Sequence, residues 1–173
     1  MIKKIPLLLI YSRVLIALII LFLGFAMLHN YREWIILLLV VGLLTDIFDG
    51  IIARKLEIST VKLRILDSNA DQFFWLAVMA TIFYLNLDFI LKNIHWISMI
   101  VLLELTAYIC SYLKFKRTIA THSILAKFWT ISLLVFLIDL LQNATSNLAF
   151  SICIILGILS RIEIILIIIK LKN

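Results

Sequence analysis

Residues 45–71, TDIFDGIIARKLEISTVKLRILDSNAD, place four aspartates beside long apolar runs. Asp46 and Asp49 are three residues apart and Asp67 and Asp71 are four apart, so each pair lies on one face of a helix. A short loop, residues 57–66, joins the two helices and makes them antiparallel neighbours. The four carboxylates are therefore expected at a similar depth, in one cluster.

The rest of the chain is apolar enough to be a membrane protein. Of its 173 residues, 65% are hydrophobic, more than a soluble domain of this length can bury. A membrane-spanning helix needs about 20 mainly apolar residues. The segments that meet this requirement are 5–28, 33–56, 67–87, 94–115, 124–141 and 148–171. The sequence predicts an all-α, polytopic membrane protein whose residues 1–173 form a single domain of six transmembrane helices.

The basic residues indicate the orientation of these helices. The chain has a net charge of +6, which is compatible with nucleic-acid binding. The basic residues, however, form short clusters rather than a stripe interleaved with aromatic residues, which argues against this function. Most lie on the side that holds both termini and the loops 57–66 and 116–123, whereas the other side has Arg32 and Lys92. Both termini are therefore predicted to be cytoplasmic. Arg13, within the first span, either contacts a phosphate or snorkels to water.

Four carboxylates near lipid require a counter-charge. Oxygen ligands alone suit Mg²⁺, Mn²⁺ or Ca²⁺, and two such ions about 3.5–4 Å apart would form a clamp for phosphoryl transfer. One alternative is that the acids cap helices, with Asp67 as an N-cap, although this leaves Asp46 and Asp49 unexplained. Another is a divalent-cation transporter or channel, although its acids would be expected through the whole membrane depth rather than at one side.

The spacing of these residues resembles a known motif. The CDP-alcohol phosphotransferase family carries D-x-x-D-G-x-x-A-R, then eight residues, then G-x-x-x-D-x-x-x-D. The chain resembles this family at Asp46, Asp49, Gly50, Ala53, Arg54, Asp67 and Asp71. It departs from the motif at Leu63, where the family has its second glycine.

The resemblance implies an enzyme of phospholipid biosynthesis. It would transfer a substituted phosphate from a CDP-linked donor, either the lipid CDP-diacylglycerol or a soluble CDP-alcohol, to the hydroxyl of a small polar alcohol and release CMP. The implied ligands of two Mg²⁺ or Mn²⁺ ions are Asp46, Asp49, Asp67 and Asp71, with Asp71 also the general base. The implied CDP-binding residues are Asp49, Gly50, Ala53, Arg54 and Asp67. Family resemblance further implies a homodimer among membrane lipids, with its active site facing the cytoplasm, here expected in a prokaryotic cytoplasmic membrane.

The acceptor site is expected among basic residues later in the chain. Arg161 interrupts the last span, and an intramembrane charge is a functional-site hypothesis by default. Lys114 and Arg117 belong to a basic rim that could bind a phosphorylated acceptor. The alternatives are an ion pair of Arg161 with Glu104 or Glu163, and contact of the rim with anionic lipid.

Overall fold

All elements in the described part of the chain are α-helices. The computed structural model describes residues 5–56, 60–115 and 124–170, apart from the side chains at positions 53, 54, 61, 62 and 64. The helices are α1 (Ile5–Ala26), α2 (Tyr31–Lys55), α3 (Val61–Leu85), α4 (Leu87–Lys92), α5 (Ile94–Phe115), α6 (Ile124–Asn143) and α7 (Leu148–Lys170). This confirms the predicted all-α class.

Five of the described helices, α1, α2, α5, α6 and α7, are long and apolar enough to cross a membrane, which makes this an integral membrane protein. The third predicted span corresponds to α3, which is not among the five. Its first half is too polar, since residues 62–72 include two basic side chains, two aspartates, Asn69 and Gln72. The short helix α4 was not predicted. The sixth span and the cytoplasmic termini stay predictions.

Helix α3 begins at Val61 rather than at residue 67. Thr60 is its N-cap, and the Thr60 Oγ1 accepts a hydrogen bond from the Leu63 backbone N–H at 3.2 Å. The interpretation of Asp67 as an N-cap is therefore wrong, because Asp67 lies in the second turn of the helix. Capping by a threonine is a local signal that the hydropathy pattern does not contain.

The chain divides into two compact units, Met1–Leu87 and Asp88–Asn173, and the prediction of one domain stays a prediction. In the first unit, α1 packs along both α2 and α3, which contact each other less. A Cβ on Gly42 of α2 would lie 2.5 Å from Cε2 and Cζ of Phe74 on α3, so only glycine lets this ring approach α2. Helix α1 is thus the common partner of the two aspartate-bearing helices.

In the second unit, α7 packs against α5 and α6. The rings of Phe89, Phe136 and Phe150 pack against one another in tilted and edge-to-face arrangements, with centroids 5.3–5.9 Å apart. A Cβ on Gly157 of α7 would lie 2.8 Å from Nε1 of Trp129 and 2.9 Å from Cδ1 of Ile100. Close approach of helices at a small residue is typical of membrane proteins, which lack a hydrophobic driving force between helices.

Candidate metal centre

One arginine of α1 links all four aspartates of α2 and α3. Arg13 Nη1 lies 3.1 Å from Asp67 Oδ1 and 3.2 Å from Asp46 Oδ1. The same nitrogen donates to Asp71 Oδ1, and Nη2 donates to Asp49 Oδ2. The structure therefore brings together the four aspartates that the sequence singled out, around a cation that belongs to the protein.

The cluster has a buried end and an open end. The side chains of Arg13 and Asp49 are 1% and 3% exposed. Those of Asp46, Asp67 and Asp71 are 41%, 32% and 34% exposed. A ligand can therefore reach three of the four carboxylates, while Asp49 and the guanidinium form the floor of the site.

The donor atoms fit a divalent cation. Asp46, Asp49 and Asp67 each offer one carboxylate oxygen, and these three oxygens lie within 4.8 Å of one another. An Mg²⁺ ion takes oxygen ligands at about 2.0–2.1 Å, so these three residues would hold one ion if their oxygens moved closer together. Oxygen-only ligands favour Mg²⁺ or Mn²⁺ over zinc or copper. Among the side chains that the structure describes, Arg13 is the one cation paired with these four carboxylates, and it carries a single positive charge.

The other motif residues are described only in part. Gly50 follows Asp49 within α2 and is partly buried. The backbones of Ala53 and Arg54 continue the same helix, but their side chains lie outside the described residues. Leu63, where the family motif has glycine, lies in the first turn of α3 and is partly exposed.

Lys114, predicted to bind the acceptor, contacts the end of a neighbouring helix. Its Nζ donates to the carbonyl oxygens of Ile168 and Ile169 at 3.0 and 2.7 Å. These are among the last carbonyls of α7, which have no partner within their own helix. Lys114 thus joins α5 to the C-terminus of α7. Arg117, predicted to act beside it, lies outside the described residues.

Arg161, the other predicted acceptor residue, is engaged within the second unit. Its Nε forms an ion pair with Oε2 of Glu104, and its guanidinium carbon lies 4.4 Å from the Trp129 ring centroid. The side chain is 11% exposed. Glu104 is one of the two partners that the sequence suggested for Arg161, and the structure forms this ion pair. The contact of Arg161 with the Trp129 ring was not predicted.

Arg13 is the site residue whose role sequence reasoning missed. The interpretation that Arg13 snorkels to water is wrong, because its side chain is buried. A signal was present, since an arginine inside a span requires a partner and four acids needed a counter-charge. Joining the two observations required knowing that α1 packs against both α2 and α3.

Comparison with known proteins gives a family match over nearly the whole chain. The family model for CDP-alcohol phosphatidyltransferases matches residues 3–169 of the 173-residue chain, and thus reaches from α1 into α7. Neither a curated protein nor a solved structure matches the chain. The family match therefore covers both compact units and not the aspartate motif alone.

Proposed function

Because the chain belongs to the CDP-alcohol phosphatidyltransferase family, we propose that it transfers a phosphatidyl group from CDP-diacylglycerol to the hydroxyl of a small polar alcohol and releases CMP. The observation that carries this proposal is the cluster of four carboxylates from α2 and α3, open on one side. A cluster of this charge suits a reaction in which metal ions hold a pyrophosphate.

The four carboxylates are proposed to hold two divalent cations, Mg²⁺ or Mn²⁺. Four negative charges balance two such ions, and oxygen ligands match their preference. When bound, the ions supply positive charge that stabilises the pyrophosphate of the donor and the departing CMP. Asp49 would support the ions from the buried floor, and Asp46, Asp67 and Asp71 would hold them at the open end.

Asp71 is the proposed general base. It lies at the open end, 34% exposed, where an acceptor hydroxyl can approach. It would take the hydroxyl proton while the acceptor oxygen attacks the phosphorus that carries the lipid and the bond to CMP breaks. The residues proposed to bind the CDP group are Asp49, Gly50, Ala53, Arg54 and Asp67.

Membrane embedding suits a lipid donor. Leu8, Leu15 and Phe22 on α1 are 59–66% exposed, as expected for a surface in contact with acyl chains. We propose that the enzyme is a homodimer in a prokaryotic cytoplasmic membrane and that the cluster faces the cytoplasm. Lys114, Arg117 and Arg161 are the proposed acceptor residues, and Lys114 and Arg161 would have to give up their present contacts to bind an acceptor.

The test is CMP release by the purified protein supplied with CDP-diacylglycerol and Mn²⁺ or Mg²⁺. Glycerol phosphate, inositol, inositol phosphate, serine and an aminoalcohol are added singly. We expect CMP with one of them, loss of CMP after chelation by EDTA, and loss in Asp71→Asn. Asp139→Asn is the matched control, because Asp139 accepts a hydrogen bond from Asn143 Nδ2 at 2.6 Å in the second unit. Folded protein that releases no CMP with any acceptor would refute the proposal, and divalent-ion flux would then be measured.

A further inference from the structure

The buried cation at the centre of the aspartate cluster has a role of its own. We propose that Arg13 is an exchangeable counter-ion: it holds the four carboxylates together while metal is absent, and it releases their oxygens when divalent ions bind. This inference rests on the proposed metal-dependent function. It adds a positioning residue on α1, outside the aspartate motif of α2 and α3.

The first argument is geometric. Arg13 Nη1 is within 3.2 Å of oxygens from Asp46 and Asp67, and it also donates to Asp71. Three carboxylate oxygens from two helices thus converge on one nitrogen, as ligands converge on a cation. A divalent ion needs the same oxygens at about 2.1 Å, and at that distance from the ion they cannot all keep their contacts with Nη1.

The second argument is electrostatic. Arg13 is 1% exposed, and a guanidinium does not lose its proton in proteins, so its charge is permanent. A buried permanent charge requires partners of opposite sign, and the aspartates are those partners. In return, the guanidinium lowers the repulsion among four like charges and keeps α2 and α3 in register against α1. Two divalent ions would take over this role with greater charge, while the second oxygen of the carboxylates would stay available to the guanidinium.

The experiment measures Mn²⁺ binding and thermal unfolding of the metal-free protein for wild type, Arg13→Gln and Arg13→Lys. Arg13→Gln removes a positive charge that competes for the same oxygens, so it should lower the Kd for Mn²⁺ by about tenfold or more. Without metal, Arg13→Gln should unfold at a lower temperature than wild type. Saturating Mn²⁺ should raise the Tm of Arg13→Gln by more than it raises the Tm of wild type. The Kd for Mn²⁺ and the Tm of Arg13→Lys should lie between those of wild type and Arg13→Gln. A lysine ammonium is a point charge that does not bridge four carboxylates as the planar guanidinium does.

Arg32→Gln is the matched control, with the same change of charge at the start of α2. At 1.5 Å per residue it lies roughly 25 Å along the helix from Asp49, too far for its side chain to compete for the oxygens of the cluster. Its Kd for Mn²⁺ should equal that of wild type. Mn²⁺ affinity that is unchanged or weaker in the Arg13 variants would overturn the exchange, and Arg13→Lys decides the matter if Arg13→Gln does not fold. Wild-type protein that binds no Mn²⁺ would instead refute the metal-dependent function itself.

Discussion

Replacing Glu104 by glutamine tests the partly buried ion pair of the second unit. The change keeps the shape of the side chain and removes the charge that faces Arg161. Arg161 would keep its contact with the Trp129 ring, at 4.4 Å from the centroid, but would lose its paired carboxylate. We therefore expect Glu104→Gln to destabilise the packing of α5 against α7.

The expected size follows from the burial of the pair. Breaking a fully buried pair costs about 3–5 kcal/mol, whereas an exposed pair contributes about 0–1 kcal/mol. With Arg161 11% and Glu104 32% exposed, an intermediate loss of about 2 kcal/mol is expected. For a chain of this length, each kcal/mol shifts Tm by roughly 2–4 °C, so Tm should fall by roughly 4–8 °C.

The assay is thermal unfolding in detergent micelles of wild type, Glu104→Gln, Arg161→Gln and the double variant. Because each single change leaves a group without its partner, the double variant should be more stable than the sum of the two losses predicts. Glu33→Gln, at an exposed position in the first turn of α2, is the control and should cost less than about 1 kcal/mol. Additive losses, or a Glu104→Gln Tm within about 1 °C of wild type, would refute this reasoning.

Three further changes have expected outcomes in the same unfolding assay. Gly42→Ala would place a Cβ 2.5 Å from the Phe74 ring, so overpacking should cost about 1–3 kcal/mol, and an unchanged Tm would contradict the close α2–α3 approach. Lys114→Met should cost about 1 kcal/mol by freeing two carbonyls of α7, whereas a raised acceptor KM at unchanged Tm would instead favour acceptor binding. Thr60→Ala should lose about 1 kcal/mol of N-cap stabilisation that Thr60→Ser retains, and equal Tm values for the two would argue against the cap.

The sequence predicted well those features that depend on neighbouring residues. Apolar runs located α1, α2, α5, α6 and α7 closely, because a helix in lipid must be apolar along its whole length. The start of α3 was predicted too late, because the polar residues around Arg64 lower the hydropathy of the first turns of a helix that Thr60 caps. The aspartate pairs were placed correctly on shared faces because helical periodicity is a local property.

The sequence by itself determined the helical class, the membrane character, the aspartate pairs and the family motif. Only the tertiary structure decided which charges meet: Arg13 reaches carboxylates 33 to 58 residues away, and Arg161 pairs with Glu104 on another helix. The physical reason is that hydropathy and helical periodicity act over a few turns, whereas the partner of a buried charge depends on which helices pack together. Here α1 lies against both α2 and α3, and that packing brings one guanidinium to four acids.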